Sequence, residues 1–159
     1  MTLILGGPTK HYKYTKENIQ KIYSKLNNNI NKKNLQLVVI PSMRTPLETI
    51  KLAKEYFGSN HLIIENVDKK AYLSGLSLAN FIVVMCDSSS MISEAALTGK
   101  PIYVAQIPSS KNDYRFKKFR DLFKQLNIIK ELNDNLETWN YERLDETNRV
   151  AQEIKKKLI

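Results

Sequence analysis

A chain of 159 residues with 42% hydrophobic and 26% charged residues reads as one domain, residues 1–159, long enough to bury a core. No apolar run approaches the ~20 residues of a membrane helix, the leading MTLILGG is too short and unflanked for a secretory signal, and the single cysteine, Cys86, excludes a disulfide framework or multi-cysteine metal site and fits a reducing, cytoplasmic setting. The net charge of +9 invites a nucleic-acid partner, yet 20 of the 25 basic residues are lysines spread over solvated faces, so no nucleic acid is expected and an anionic membrane surface stays open as a peripheral partner.

In chain order the first predicted element is a short strand, TLIL (2–5), followed by Gly6-Gly7-Pro8-Thr9. A helix follows with Ile19, Ile22, Tyr23 and Leu26 on one stripe, then the strand LQLVVI (35–40). Thr45-Pro46-Leu47-Glu48 predicts a helix start, with Thr45 as cap, Pro46 at the first helical position and Glu48 as the reciprocal acid. Its stripe is Leu47, Ile50, Ala53, Lys54 and Phe57, and Gly58 stops it. HLIIE (61–65) is a third strand, and Tyr72, Leu73, Leu76 and Ala79 mark a third helix. FIVVM (81–85) is the fourth strand; Cys86 at its end reads as a small core residue. Met91, Ile92, Ala95 and Ala96 line a fourth helix closed by Gly99, and PIYVA (101–105) is a fifth strand. Phe116, Phe119, Leu122, Phe123 and Leu126 form an amphipathic stretch, and a last helix is expected from about Tyr141. Strands alternating with helices predict an α/β, Rossmann-like fold: a parallel sheet in order 3-2-1-4-5 with helices on both faces.

In such a sheet the ligand sits beyond the carboxyl ends of the strands where the order reverses, between strands 1 and 4. The loops Gly6-Gly7-Pro8-Thr9 and Asp87-Ser88-Ser89-Ser90 therefore converge on one crevice. Glycines admit close approach to the backbone, and a helix N-terminus lined with hydroxyls suits a phosphate. The fourth helix is expected to carry Ser90, Glu94 and Thr98 on one face. A phosphate at the serines leaves Glu94 about one turn, ~5 Å, further along, where a carboxylate can accept from ribose hydroxyls. The competing reading makes Asp87 to Ser90 a helix cap and Glu94 an acid favoured by the helix dipole. Three serines exceed what one cap needs, so a nucleotide-phosphate site is preferred. Arg44 reads either as a fork for a diphosphate or as half of a surface ion pair. Lys10 lies on the same rim; His11 reads as an acid or phosphate ligand or as a solvated loop histidine. There is no G-x-G-x-x-G after strand 1, and TGKP lacks the glycine and hydroxyl of an ATPase phosphate loop. No carboxylate or histidine cluster has metal spacing, so no metal and no cofactor are expected. No catalytic residue is singled out.

The segments LILGGPTKHYKYT, IPSMRTP and YLSGLSLANFIVVMCDSSSMISEAALTGKPIYV together resemble the mitochondrial-fission Elm-type family, from Leu3 to about Leu126. Its bacterial members are described as predicted nucleoside-diphosphate-sugar glycosyltransferases or epimerases. The resemblance implies the C-terminal, donor-binding half of a GT-B architecture, two facing Rossmann-like domains. Gly6, Gly7, Ser42, Arg44, Thr45, Asp87, Ser88, Ser90, Met91, Ser93, Glu94, Thr98 and Gly99 stand where the family pattern has its motif residues. Lys70-Ala71-Tyr72 departs from the family's frequent Asn-Pro-Tyr.

The expectation is a nucleotide-sugar-binding domain whose glycosyl-transfer chemistry needs an N-terminal half that this chain lacks, so that the segment alone is inactive. Gly6, Gly7, Ser42, Arg44, Asp87, Ser88, Ser89 and Ser90 are assigned to the nucleotide phosphates and Glu94 to the ribose, with Lys10, His11, Met91 and Thr98 as further contacts. The alternative is a non-catalytic interaction or regulatory module acting in membrane or organelle dynamics.

Overall fold

A helix separates each strand of the sheet from the next, and a parallel return requires such a crossover. The computed structural model describes residues 1–158. Its strands are β1 (Thr2–Ile4), β2 (Val38–Ile40), β3 (Leu62–Ile63), β4 (Ile82–Met85), β5 (Ile102–Ala105) and β6 (Ile129–Glu131), all parallel, in spatial order β3-β2-β1-β4-β5-β6. The helices are α1 (Lys16–Lys33), α2 (Leu47–Phe57), α3 (Lys69–Leu78), α4 (Ser89–Ala96), α5 (Tyr114–Gln125) and α6 (Glu146–Leu158). Right-handed crossovers put α1 and α2 on one face and α3, α4 and α5 on the other; α1 packs on α2, and α4 on α5.

The expected order 3-2-1-4-5 holds and is extended by a sixth strand. Central strands covered on both faces carry continuous apolar runs, and every residue of β4 and β5 is buried. The two-residue edge strand β3 leaves Leu62 exposed. At the other edge, Asn127 (φ 56°) ends α5 in the left-handed region and turns the chain into β6, which takes its register from Ile102 opposite Ile129. Trp139 folds back over this edge, its Nε1–H donating to the Asn127 carbonyl at 2.8 Å and its ring lying under the Lys130 ammonium.

Several expectations need correction. Thr45 does not cap α2: the capping position is Pro46, without a side-chain cap. The Thr45 hydroxyl instead donates to the Gly6 carbonyl at 2.8 Å and accepts from the Ser42 N–H at 2.8 Å, tying the loop after β2 to the loop after β1. Thr98 lies beyond the end of α4, so it does not share a helical face with Ser90 and Glu94; its hydroxyl donates to the Ala95 carbonyl at 2.7 Å in the closing turn. Of the predicted stripes, Leu47, Lys54, Leu73, Leu122 and Leu126 are exposed, Lys54 pairing with Glu65, while the remaining members are buried or half-buried. The last helix starts at Glu146 rather than near Tyr141, because Tyr141 packs against the core and bonds the end of α4. No residue of α6 is buried.

Helix α3 approaches the sheet through Gly75, whose carbonyl accepts from the buried Thr2 hydroxyl at 2.9 Å. A Cβ there would lie 2.5 Å from the Ile40 Cδ1 and 3.1 Å from the Thr2 Cγ2. Gly75→Val is expected to lower stability by about 1–3 kcal/mol through overpacking, read as a fall in the urea midpoint.

Candidate functional site

At the carboxyl ends of β1 and β4 the connections leave in opposite directions, β1 towards α1 and β4 towards α4, and a crevice opens between them. Asp87, the second residue after β4, occupies its floor. The side chain is wholly buried and accepts from the Gly7 N–H (3.1 Å), the Tyr14 hydroxyl (2.5 Å) and the Arg44 Nη2–H (2.9 Å). A buried carboxylate is tolerable only when paired and hydrogen-bonded, and these three donors meet that demand. Burial, then the Asp87 charge, pushes the Tyr14 hydroxyl well above the ordinary tyrosine range, so it remains a donor. Asp87 thus positions the site, and its oxygens face inward rather than towards a phosphate.

The glycine pair has the same origin. A Cβ on Gly6 would fall 2.1 Å from the Asp87 Oδ1, and one on Gly7 would fall 2.1 Å from the Arg44 carbonyl oxygen. The protein's own atoms therefore demand these glycines. Arg44 is half of an ion pair, but with the buried Asp87 rather than a surface acid: one Nη2–H is given to Asp87, while the Arg44 side chain stays 45% exposed on the rim.

Above this floor begins α4. Ser88 is its cap, its Oγ accepting from the Met91 N–H at 3.3 Å, and it lies 3.2 Å from the exposed Ser90 Oγ. The Ser89 hydroxyl is committed to no hydrogen bond among the described residues. Met91 is half-buried in the first turn. One turn further on, Glu94 is exposed and its Oε2 accepts from the Tyr72 hydroxyl of α3 at 2.7 Å. Burial, reinforced by the Glu94 carboxylate, raises that hydroxyl above its ordinary range. The structure thus brings together Gly6, Gly7, Ser42, Arg44, Asp87 and Ser88–Ser90, puts Glu94 one turn beyond, and leaves Thr98 outside the cluster. Cys86 is buried, its thiol pushed up to about 11 by desolvation, as a core residue should be.

Lys10 and His11 border a different feature, a cavity of about 690 Å³ between the β1 loop, Ser89 and the start of α5. Behind its wall lies a network not anticipated from sequence. Arg120, 6% exposed, donates to the Tyr12 hydroxyl (2.9 Å), the Cys86 carbonyl (3.1 Å) and the Asp113 Oδ2 (3.1 Å), and the Tyr12 hydroxyl donates to the same Asp113 oxygen at 2.6 Å. The only sequence signal was an arginine interrupting the apolar stripe of α5. Among the described residues no three histidine, cysteine or carboxylate side chains gather as a metal-ion site, and no helix is long and apolar enough to cross a membrane.

The family described as Mitochondrial fission ELM1 matches residues 1–158. The chain is 30% identical over 161 residues to an uncharacterised protein of Rickettsia prowazekii, covering 96% of this chain and 45% of that protein. It is 27% identical over 122 residues to mitochondrial fission protein ELM1 of Arabidopsis thaliana, covering 74% of this chain and 28% of the relative. The chain thus spans less than half the length of both curated relatives. Among solved structures, the UDP-GlcNAc 2-epimerase of Methanocaldococcus jannaschii superposes with a TM-score of 0.60 at 15% identity, covering 98% of this chain and 45% of that one. S. aureus MnaA, solved with UDP, also gives 0.60, at 16% identity over 96% of this chain and 36% of that one. These likenesses show a shared fold.

Two outcomes test the two buried networks. Gly6→Ala is expected to cost more than about 1.5 kcal/mol in the wild-type background and much less beside Asp87→Ala, because the clash is with the carboxylate. Urea unfolding of the four proteins should give a coupling of about 0.5–3 kcal/mol. The hydrogen bond from Tyr12, and then Arg120, holds the Asp113 carboxyl below the usual carboxylate range. A group with a depressed folded pKa adds stability above its unfolded pKa and loses it as pH falls through the folded value. The contribution of Asp113 should therefore be full above the ordinary carboxylate pKa, decline as pH falls from there towards the lower folded value and be gone below it, and Asp113→Asn should flatten that acid limb in thermal melts.

Proposed function

This chain belongs to the mitochondrial fission ELM1 family, and on that footing we propose that it binds the nucleoside-diphosphate part of a sugar donor. The observation that carries the reading is the start of α4: Ser88 supplies the cap, and Ser89 and Ser90 stand beside it without backbone partners. A helix N-terminus with spare hydroxyls favours an anion. Arg44 on the rim adds a guanidinium that can fork onto phosphate oxygens. Glu94 lies one turn on, with Oε2 held by Tyr72 and Oε1 left to accept from ribose hydroxyls. The likeness to UDP-GlcNAc 2-epimerases and to a protein solved with UDP supports the reading at the level of fold.

In the full-length protein the proposed chemistry is metal-independent glycosyl transfer, with this chain as the donor half and a second domain supplying the acceptor side. The helix terminus, the serines and Arg44 stabilise the departing diphosphate. A second reading, a non-catalytic interaction module, is favoured by α6, which presents Val150, Ile154 and Leu158 to solvent beside Lys155, Lys156 and Lys157.

Glu94→Gln is expected to weaken UDP or GDP binding by roughly 1.5–3 kcal/mol, the range for hydrogen bonds to a charged group. Stability should hardly move, because glutamine keeps helix propensity and an acceptor for Tyr72. Ser90→Ala should weaken diphosphate binding more than uridine binding. NMR titrations of the three proteins with UDP, GDP and uridine read both effects. Unchanged affinities in both variants would end the nucleotide reading and leave the interaction module.

A further inference from the structure

Helix α4 lies between α3 and α5, so its start has two unlike flanks. On the α3 flank stand Tyr72 and Glu94, joined by their hydrogen bond. On the α5 flank lies the 690 Å³ cavity, which reaches α4 through Ser89. A nucleoside diphosphate with its ribose at Glu94 and its phosphates at Ser88–Ser90 therefore runs from the α3 flank towards the α5 flank. Whatever its distal phosphate carries enters the cavity, whose volume suits one small ligand.

The cavity is unusual in what it offers that group. Lys10 and Arg115 are exposed on its walls, and among the described residues neither takes part in an ion pair. The one carboxylate in the wall, Asp113, already accepts from the Tyr12 hydroxyl and is neutralised by Arg120. The Asn112 Oδ1 accepts from the Tyr114 N–H at 2.9 Å, which leaves its amide nitrogen as a donor. Phe116 and Phe119 supply apolar surface, with the His11 ring edge-on to Phe116 at 5.6 Å. Sugar hydroxyls need acceptors as well as donors, and carboxylates are their usual acceptors. This wall presents two free cations and an amide donor against a single carboxylate, whose Oδ2 takes both the Tyr12 and Arg120 bonds and whose charge Arg120 offsets, leaving Oδ1 as its one open oxygen.

Resting on the nucleotide reading above, we infer that the group carried by the distal phosphate is acidic: a sugar residue whose carboxylate is held by Lys10 and Arg115. The serines and Glu94 hold the nucleoside diphosphate, and the two cations select the sugar.

The test compares UDP with UDP-glucose and UDP-glucuronate, the last two differing at a single sugar carbon, by NMR titration at low ionic strength; GDP, GDP-mannose and GDP-mannuronate serve if GDP is the nucleotide bound. The acidic sugar nucleotide should bind roughly three- to ten-fold tighter than its neutral partner, the scale of two exposed ion pairs. The double variant Lys10→Ala/Arg115→Ala should abolish that preference, with UDP and UDP-glucose weakening together through lost long-range attraction. Lys33→Ala/Lys157→Ala, which removes equal charge from remote surface, should leave the preference intact. Equal affinity for the acidic and neutral forms, or a preference that survives the Lys10/Arg115 variant, overturns the inference while the nucleotide reading stands. Failure of both UDP and GDP to bind overturns the nucleotide reading, and this inference with it.

Discussion

The Asp87 carboxylate holds the functional end of this fold together. Three segments that share no secondary structure meet at its two oxygens: the backbone after β1 through Gly7, the approach to α1 through Tyr14, and the loop after β2 through Arg44. A charge in this position would be severely destabilising if unpaired. The sequence around it is therefore shaped to meet it, with two glycines that make room, a tyrosine whose hydroxyl keeps its proton, and an arginine that reaches in from a half-exposed position. Thr45 completes the assembly by joining the Ser42 amide to the Gly6 carbonyl.

A second buried charge pair does the same on the opposite side of β4. Arg120 links α5 to the Cys86 carbonyl, to Tyr12 in the β1 loop and to Asp113 at the start of its own helix. The two networks flank the end of β4, one through Asp87 and the other through the residue before it. Between them lies the first turn of α4, capped by Ser88. The Asp87 carboxylate faces inward and Asp113 is tied to Tyr12 and Arg120 at the cavity wall, while Ser89 is half-buried and Ser90 exposed.

This division changes how a family motif is read. Gly6, Gly7 and Asp87 belong to one steric and electrostatic unit and would be required for folding whether or not a ligand binds. Ser89, Ser90 and Glu94 have no comparable structural duty. The chain covers less than half of its curated relatives, and α6 carries an apolar face that nothing in this domain covers. The solved structures that share its fold are likewise longer, the chain covering 36% and 45% of them.

The alternation of apolar strands with amphipathic helices determined the parallel sheet and its central order, because buried parallel strands need continuous apolar runs and their crossovers have one hand. The same pattern located the crevice between Gly6-Gly7 and Asp87–Ser90, since the topological switch follows from strand order alone. Other features depended on contacts between segments far apart in the chain. Strand β6 exists because Ile129 finds Ile102 across the sheet edge; three residues, two of them charged, carry no strand pattern of their own. Thr45 looked like a helix cap because local spacing cannot show the Gly6 carbonyl 39 residues away that claims its hydroxyl. Sequence does not show that a Cβ on Gly6 would meet the Asp87 carboxylate, or one on Gly7 the Arg44 backbone, so the steric need for these two glycines appears only in the fold. Arg120 carries no pattern of its own in the sequence; Tyr12, Asp113 and the Cys86 carbonyl meet it only in the fold. Periodicity is a property of neighbours along the chain and was legible; pairing of buried charges belongs to neighbours in space, and only the tertiary structure decided it.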